Sequence, residues 1–423
     1  MSNDFKNFAN SFQAVARLQL EGITCLMKHL ENPQNDLKFI HVAGTNGKGS
    51  VCNFLRSIFT TAGKKTGLYT SPNLITVCER ISVDGEQISE DDINRILEKV
   101  EGAAEKVKTE TGTLPTQFEI WTAAAFCYFK EQKCDLVVLE TGLGGERDAT
   151  NVILPPMASV ITTIDIDHVE YLGNKLDGIA EAKAGIIKKG CPVTVSAQQK
   201  NEAEAVLKKH CTEKQNRLII ANEPVLKGTE DFHEIFDYTA NDGKHFENVK
   251  CGICGFYQPE NASLAIETAN ALGIDENLIK KGIAEAVHRG RFEIIEKKPA
   301  VIYDGAHNPN GMTALAKCLN RYFPEWNGAT FIMAFMGDKD IAGELEILKN
   351  YGLLKASKIF AVKVKNNPRA AEIHKVCQDA RTVGAEALEY TEIKDAYKQA
   401  LKIGKPVIIC GSLYLYKDFD EIR

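Results

Sequence analysis

Short apolar runs and amphipathic segments alternate along most of the chain. The run LKFIHVAG, residues 37–44, is typical of a buried strand and ends at a glycine. In the next segment, 50–65, apolar residues recur at i, i+3, i+4, i+7 and i+8: Val51, Phe54, Leu55, Ile58 and Phe59. This spacing predicts one buried face of a helix, with Gly63 as its C-terminal stop.

The alternation continues to residue 196 and restarts near residue 299. In the first region the pattern predicts helices over 116–132 and 176–190 and strands over 134–142, 158–166 and 191–196. Residues 215–257 predict short strands with polar turns, and a helix over 261–273 follows. In the second region strands are predicted over 299–309, 329–340, 357–364 and 405–414, and helices over 311–322 and 392–404.

Strands that alternate with helices are typical of mostly parallel sheets with right-handed crossovers. The sequence therefore predicts an α/β fold with two domains. We expect a mostly parallel sheet domain over residues 1–288 and a smaller, Rossmann-like α/β domain over 289–423. The segment VHRGRFEIIEKKP separates the two regions, and 423 residues are enough for two domains of ordinary size.

Composition and charge exclude several classes of protein. The chain is 44% hydrophobic and 26% charged, and its net charge of -6 argues against a surface for nucleic acid. No apolar run reaches the length of a membrane span, and the first residues, MSNDFKNFANSFQ, lack the apolar core of a signal peptide. We therefore expect a cytoplasmic protein without a membrane partner.

The cysteines favour thiols over disulfides. Most of the 12 lie in apolar segments, as buried free cysteines do in a reducing compartment. Cys251 and Cys254 form a C-x-x-C, but the second pair that a structural zinc site would need is missing. Two ordinary thiols are the favoured interpretation.

The segment HVAGTNGKGS, residues 41–50, lies between the first predicted strand and its helix. It departs from the common phosphate loop G-x-x-x-x-G-K-[ST], because the first glycine is replaced by valine and a glycine follows Lys48. Its three glycines still let backbone N–H groups approach an anion, and the helix N-terminus adds partial positive charge. Lys48 suits a phosphate, and Ser50 or Thr45 offers a hydroxyl to Mg²⁺. This setting favours a nucleotide site over an ordinary glycine-rich turn, so the first domain is expected to be P-loop-containing.

Further polar residues follow strands or lie on helices of the first domain. Glu140 ends the run DLVVLE, where ligands bind in parallel sheets, so it is a candidate Mg²⁺ ligand or a solvated strand-end acid. His168 follows the next strand and could be a metal ligand or simply a hydrogen-bonded histidine in a loop. Asp165 and Asp167 could orient its ring or face water. The spacing of Lys183 does not distinguish it from a surface lysine.

In the second domain, Asp304 and His307 follow an apolar strand. An aspartate there can bind a ribose hydroxyl, and a histidine can contact phosphate or substrate. Arg291, in the segment GRFE, could clamp a phosphate when the domains close.

Ten segments, in chain order, resemble the folylpolyglutamate synthase/dihydrofolate synthase family of the Mur ligase superfamily. They are HVAGTNGKGS, TSPNLITVCERI, QFEIWTAAAF, ETGLGGERDATNVI, DHVEYLG, IAEAKAGIIK, YQPENASLA, GRFE, YDGAHNPNG and GSLYL. The resemblance implies an ATP-dependent ligase that phosphorylates a folate or pteroate carboxylate and joins L-glutamate to it. ATP, L-glutamate and dihydropteroate or reduced folates are the implied partners, and a monomer is implied.

The resemblance also assigns residues to the nucleotide and the metal ions. The triphosphate would be held by the loop residues Gly44, Thr45, Asn46, Gly47, Lys48, Gly49 and Ser50. Asn261, Arg291 and Asp304 match nucleotide-contacting positions. Two Mg²⁺ ions are implied, one held by Ser50 and Glu140 and the other by His168 and Lys183, which matches a lysine that the family carries as a carbamate. The implied catalytic residues are Lys48, Lys183 and His307, which lies beside the reacting phosphate.

The implied folate and pterin-binding residues are Ser71, Pro72, Glu79, Arg80, Phe118, Asp148 and Ala149. The segment SPNLITVCER resembles a flexible loop near the folate site, but Asn73 replaces a common histidine and Cys78 a common asparagine. The segment DATN resembles the version found in bifunctional members, which favours dihydrofolate synthase activity beside folylpolyglutamate synthase activity.

Three alternatives stay open. The chain could have folylpolyglutamate synthase activity only. It could be another Mur-type ligase that extends a cell-wall precursor, although the segments TSPNL and DATN argue against that. A nucleotide-dependent switch that only hydrolyses ATP would need neither the second α/β unit with YDGAHNPNG nor a lysine that can be carbamylated.

Overall fold

The computed structural model describes residues 19–167 and 169–423, which form two compact units. The larger unit contains the described residues up to Gly228 together with Ile235–Gly252 and Pro259–Val287. The smaller unit contains Thr229–Glu234, Ile253–Gln258 and His288–Arg423. Each unit combines helices with parallel strands, which confirms the predicted α/β class.

The larger unit is built on an eight-stranded sheet. In chain order its strands are β1 (Phe39–Ala43), β2 (Thr66–Tyr69), β3 (Ile81–Val83), β4 (Glu86–Gln87), β5 (Leu136–Glu140), β6 (Ala158–Ile161), β7 (Val193–Val195) and β8 (Leu218–Ile220). Their order across the sheet is β4-β3-β2-β5-β1-β6-β7-β8. Neighbours from β2 to β8 are parallel, whereas β3 and β4 extend one edge in antiparallel fashion. The buried strand β1 therefore lies between β5 and β6, and the three carboxyl ends share one edge.

Helices connect these strands. Up to residue 285 they are α1 (Glu21–His29), α2 (Lys48–Thr61), α3 (Glu90–Thr111), α4 (Gln117–Glu131), α5 (Val169–Leu172), α6 (Leu176–Ala184), α7 (Asn201–Glu213), α8 (Gln258–Ala271) and α9 (Glu276–Glu285). Short 3₁₀ helices cover Pro33–Asp36, Val77–Arg80 and Ala149–Val152. One buried apolar cluster joins α1, α3 and α4 to β2 and β5, and another joins α6 and α7 to β6 and β7.

Helix α2 buries the apolar face that the sequence pattern predicted. All five residues of its predicted apolar face are buried, which contributes roughly 1.5–3 kcal/mol for each large aliphatic or aromatic side chain. The predicted stop is confirmed, because Gly63 follows the helix with φ +75. The helix begins at Lys48, two residues before the expected start, since Gly47 adopts φ +89 as its N-cap. Lys48 and Ser50 therefore both lie in the first turn.

The region 215–257 contains β8 and a separate three-stranded sheet, as its short strand-like pieces predicted. The sheet consists of β9 (Val225–Glu230), β10 (His233–Thr239) and β11 (His245–Lys250), in the order β11-β10-β9. Strands β10 and β11 pair in antiparallel fashion.

The smaller unit contains a six-stranded sheet. Its strands are β12 (Glu293–Lys297), β13 (Ala300–Tyr303), β14 (Thr330–Met333), β15 (Lys358–Ala361), β16 (Glu386–Glu389) and β17 (Val407–Cys410), in the order β12-β13-β17-β14-β15-β16. Only β12 is antiparallel to its neighbour. The accompanying helices are α10 (Pro309–Tyr322), α11 (Ile341–Asn350), α12 (Ile373–Thr382), α13 (Ile393–Ile403) and α14 (Leu415–Asp420).

All 12 cysteines fall within the described residues, and all are free. Every one except Cys25 is buried, which confirms the predicted buried thiols. Within residues 19–167 and 169–423, no helix has both the length and the hydropathy needed to cross a membrane.

Candidate active site

The phosphate loop joins β1 to α2. Gly44, the first residue after β1, has φ +149, and a Cβ there would lie 1.8 Å from Thr162 Oγ1. A glycine is therefore required by both the backbone conformation and the close approach. The backbone N–H groups of Thr45 and Asn46 donate to the carbonyl oxygen of Thr163, at 2.9 and 3.3 Å. The carbonyl of Thr163 thus bonds to the loop and not to a neighbouring strand, and β6 ends at Ile161, before the predicted end at residue 166.

Asn261 on α8 lies against the same loop. A Cβ at Gly47 would lie 2.4 Å from Asn261 Oδ1, so this side chain occupies the space next to the N-cap of α2. The N–H groups in the first turn of a helix lack partners within the helix and can bind an anion. The structure thus brings Asn261 to the loop, while its contact with a nucleotide stays a prediction.

Two lysines converge on one carbonyl oxygen. Lys48 Nζ donates to the carbonyl oxygens of Gly44 and Thr45, at 3.1 and 3.3 Å. Lys183 Nζ, on α6, donates to the same Gly44 oxygen at 2.7 Å. Lys183 is only 3% exposed, so its interpretation as a surface lysine is wrong. Burial, followed by the charge of Lys48, lowers the pKa of Lys183 to about 7.

Glu140 stands beside the loop at the end of β5. It is in register with Val42 of β1 and is 4% exposed, so the alternative of a solvated strand-end acid is wrong. Its Oε2 accepts a hydrogen bond from the backbone N–H of Ser71 at 3.0 Å. Ser50, in the first turn of α2, is also buried. Mg²⁺ prefers oxygen ligands, and this hydroxyl and carboxylate are of that kind. The other expected metal ligand, His168, lies outside the described residues.

Two buried hydroxyls flank the loop and were missed by the sequence analysis. Thr141 follows β5 and Thr162 follows β6, the two neighbours of β1. Within the described residues, Oγ1 of each is buried without a hydrogen-bond partner. An unpaired buried hydroxyl costs about 1–3 kcal/mol, so both favour a polar ligand at this edge. The sequence could have indicated them, because each follows directly after a strand that neighbours β1.

The segment 71–80 forms a loop organised by Glu79. The carboxylate of Glu79 accepts hydrogen bonds from the backbone N–H groups of residues 74–76, at 2.7–2.9 Å. Arg80 Nε donates to Asn73 Oδ1 at 2.8 Å. Asn73, one of the departures from the family pattern, therefore holds Arg80 in place.

The other residues expected at the folate site differ in exposure. Pro72 is exposed and follows a cis peptide bond. Phe118, on α4, packs against Tyr69 with a ring-centroid distance of 6.0 Å. A Cβ at Gly142 would lie 2.5 Å from Phe118 Cζ. Phe118 thus forms a wall next to the glycine-rich segment that follows β5.

Asp148 is buried and caps the 3₁₀ helix Ala149–Val152. One of its oxygens accepts from the backbone N–H of Leu143 at 2.8 Å, and the other from the backbone N–H and hydroxyl of Thr150. Thr150 Oγ1 also lies 2.9 Å from His41 Nε2. Burial raises the pKa of Asp148 and lowers the pKa of His41 to about 3. Asp148 therefore has a structural role, and its expected contact with a pterin stays a prediction.

In the smaller unit, Asp304 and His307 follow β13, and Arg291, which precedes β12, lies close to this segment. Asp304 is buried and accepts hydrogen bonds from two backbone N–H groups, at 2.8 Å each. Burial raises the pKa of Asp304, and the charge of Arg291 opposes that shift. A Cβ at Gly305 would lie 3.2 Å from Arg291 Nη1, and His307 Nδ1 is 2.7 Å from the carbonyl oxygen of Gly305. The expected roles of these residues stay predictions.

Known protein domains match both regions of the chain. Residues 42–269 match the Mur ligase middle domain, and residues 290–413 match the Mur ligase glutamate ligase domain. The folylpolyglutamate synthase of Lacticaseibacillus casei is 33% identical over 409 residues, which cover 93% of this chain and 91% of that protein. The dihydrofolate synthase/folylpolyglutamate synthase of Bacillus subtilis (strain 168) is 38% identical over 312 residues, which cover 70% of this chain and 71% of that protein.

The fold is also similar to a solved structure. The crystal structure of folylpolyglutamate synthase from Thermotoga maritima matches with a TM-score of 0.89 at 31% identity, covering 100% of this chain and 96% of that one. The similarity therefore includes both units, the phosphate loop and the residues after β13. The chain belongs to the folylpolyglutamate synthase/dihydrofolate synthase family, within the Mur ligases.

Proposed function

We propose that this protein is an ATP-dependent ligase that joins L-glutamate to a reduced folate and also converts dihydropteroate to dihydrofolate. The observation that carries the proposal is the convergence of Lys48 and Lys183 on the Gly44 carbonyl oxygen, beside the buried carboxylate of Glu140. A phosphate loop alone would suit many nucleotide enzymes. A second, buried lysine at the loop matches the lysine that the resemblance implies is carried as a carbamate.

The first chemical step would transfer the γ-phosphoryl group of ATP to the substrate carboxylate. Lys48 would exchange its hydrogen bonds to the Gly44 and Thr45 carbonyls for oxygens of the outer phosphates. Its charge would then lie where negative charge accumulates during transfer. The products are ADP and an acyl phosphate. The carboxylate oxygen, which is a poor leaving group, can now leave as phosphate.

The residues present fit Mg²⁺. Ser50 and Glu140 would hold one ion, and the unpaired hydroxyls of Thr141 and Thr162 can bind its waters or a phosphate oxygen. When bound, Mg²⁺ neutralises charge on the transferred phosphoryl group. His168 and Lys183 would hold a second ion, provided that Lys183 carries a carboxylate.

Carbamylation of Lys183 would supply that carboxylate. An amine with a pKa of about 7 is substantially uncharged near neutral pH, so its lone pair can attack CO₂. A new N–C bond forms, one proton leaves to solvent, and the side chain becomes an anion. This change would place an anion beside the Lys48 cation, so that Lys48 and the carbamate form an ion pair.

The second step would be attack of the L-glutamate amine on the acyl carbon, with release of phosphate. Arg291 and Asp304 are proposed to contact the nucleotide, with Asn261 and the loop residues. His307 is proposed to lie beside the reacting phosphate, and its Nδ1 contact with the Gly305 carbonyl fixes the ring. In this scheme, residues 1–288 form the ATP-binding domain with the folate site, and 289–423 form the glutamate ligase domain.

The pteridine ring of the substrate and the carboxylate that reacts are proposed to bind near the 71–80 loop. The proposed contacts are Ser71, Pro72, Glu79, Arg80, Phe118, Asp148 and Ala149. The order that Glu79 imposes on residues 74–76, and the aromatic wall of Phe118, support a preformed site for a flat ring.

A comparison of two substrates tests the proposal. The purified protein with ATP, Mg²⁺ and L-glutamate should form a glutamylated product from both dihydropteroate and tetrahydrofolate. Product from tetrahydrofolate alone would leave only folylpolyglutamate synthase activity. Product from neither would contradict the folate assignment. A heavy-oxygen label in the substrate carboxylate should appear in the released phosphate, and unlabelled phosphate would contradict the acyl phosphate.

A further inference from the structure

A cysteine, a histidine and a glutamate meet where α1 crosses the end of α3. Cys25 and His29 are four residues apart on α1, which places both on one face of the helix. Glu110 lies in the last turn of α3. One ligand atom from each of the three side chains lies within 4.8 Å of the others. The cluster belongs neither to the phosphate loop nor to the 71–80 loop.

The distances suit a small tetrahedral ion. Cys25 Sγ lies 3.4 Å from Glu110 Oε2, and His29 Nε2 lies 2.9 Å from Glu110 Oε1. With bonds of 2.0–2.3 Å, the sulfur, nitrogen and oxygen ligands of tetrahedral zinc lie about 3.5 Å apart. Because the ligand atoms all lie within 4.8 Å of one another, side-chain rotation can bring them around one centre.

An ordinary ion pair does not account for the whole arrangement. His29 Nε2 is close to the Glu110 carboxylate, but within the described residues this buried nitrogen has no partner at hydrogen-bond geometry. The thiol adds a soft ligand that a histidine–glutamate pair does not need. All other cysteines are buried, so Cys25 is the thiol that an ion from solvent can reach.

The backbone around the cluster is held by packing. Leu26 and Met27 of α1 and Val107 of α3 are buried in the same apolar cluster, so the helices that carry the ligands are fixed relative to each other. The side chain of His29 is 17% exposed and that of Glu110 is 48% exposed. Three protein ligands on a rigid support, open on one side, leave room for a water as the fourth ligand.

We propose that Cys25, His29 and Glu110 form a Zn²⁺ site that links α1 to the C-terminal end of α3. The ligand set of sulfur, nitrogen and oxygen selects zinc over the Mg²⁺ of the phosphate loop, which prefers oxygen alone. Binding replaces the S–H bond of Cys25 by an S–Zn bond, and the proton leaves to solvent. The ion fastens two helices and takes no part in ligation.

Competition with a chromophoric zinc chelator measures the site in the full-length protein. We expect the wild type to retain one more tightly bound Zn²⁺ per chain than Cys25→Ser, His29→Gln or Glu110→Gln. His374→Gln is the matched control, because His374 lies 3.1 Å from Glu389 in an exposed pair, and within the described residues no third ligand atom completes a metal site there. This control should keep the zinc content of the wild type.

Cobalt supplies a second readout. The wild type loaded with Co²⁺ should show a thiolate-to-cobalt charge-transfer band in the near ultraviolet, which Cys25→Ser should lose. Glu110→Gln is nearly isosteric and partly exposed, so it tests the site without disturbing the packing of α1. Equal zinc content in the wild type and Glu110→Gln, or an unchanged cobalt band in Cys25→Ser, would overturn the proposal.

Discussion

Two lysines that share one carbonyl oxygen have different chemical environments. Lys48 is partly exposed in the first turn of α2, where it can reach an incoming phosphate. Lys183 is buried on α6, and burial and the charge of Lys48 lower its pKa to about 7. The difference suits one lysine to hold phosphate as a cation and the other to become a carbamate.

Replacing Lys183 tests that assignment. We expect Lys183→Ala to lower kcat by on the order of 100-fold, because an anion at the reacting centre is lost. Short carboxylic acids should restore part of the activity by occupying the space of the carbamate. Lys48→Ala should be equally impaired without rescue, since a carboxylate cannot replace a cation. Activity of Lys183→Ala that does not respond to carboxylates would count against the modification.

Glu344, on α11, is a buried acid that makes the stability of the fold depend on pH. It is 2% exposed, and within the described residues its Oε2 has no hydrogen-bond partner. Burial raises the pKa of Glu344 from its ordinary value of 4.5 to about 7. The folded protein therefore binds this proton more tightly than the unfolded chain does. This contribution to stability is fully present below the pKa of the unfolded chain, 4.5. It is lost as the pH rises through the pKa of the folded protein, about 7.

We expect Glu344 to lower the free energy of unfolding by about 3 kcal/mol between roughly pH 4 and pH 8. Urea unfolding across this range should show a flatter pH profile for Glu344→Gln than for the wild type. Glu346→Gln is the control, because Glu346 is 43% exposed and pairs with Lys349 on the surface. The same pH profile for Glu344→Gln and the wild type would show that this carboxyl does not titrate as described.

Among the elements, the strand–loop–helix unit depends on one glycine for its shape. We expect Gly44→Ala to weaken ATP binding by at least about 10-fold, because its Cβ would displace Thr162 and reshape the loop. Gly63→Ala is the control. Gly63 also has a positive φ, at +75, but a Cβ there would meet nothing within 4 Å. Calorimetric titration with ATP should therefore separate the two, and equal affinity in both variants would contradict the role of Gly44.

The elements near the loop could be predicted from the sequence because their signals are local. The spacing of apolar residues in α2, its glycine stop and the apolar run of β1 depend on neighbours in the chain, and the structure confirms them. Helix α6 was expected to reach residue 190 but ends at Ala184. There, Gly185 passes so close to Glu146 that a Cβ on it would lie 2.2 Å from Glu146 Cβ. Such a contact between distant segments leaves no periodic signal.

The same distinction applies to the site. Lys48 and Ser50 were predicted from the loop, and Glu140 from its place at a strand end. The burial of Lys183 could not be predicted, because it depends on how α6 packs against β6 and α7. The unpaired hydroxyl of Thr162 was missed because its environment is created by Gly44, more than a hundred residues earlier.

At the level of the whole molecule, the net charge of -6 contrasts with the cations that the substrates require. In the proposed reaction, the acids of ATP, folate and glutamate would be met by local positive charge, for which we propose Lys48 in the larger unit and Arg291 in the smaller unit. Family membership extends over both units, so we expect the proposed reaction to need both of them.

Phosphate release by the purified full-length protein, with each substrate omitted in turn, decides whether ATP cleavage is coupled to ligation. We predict one phosphate per glutamylated product, with ATP, Mg²⁺, L-glutamate and a reduced folate all required, and a loss of about 100-fold or more in Lys48→Ala. Phosphate release at the same rate without folate would contradict the ligase and leave only a nucleotide hydrolase.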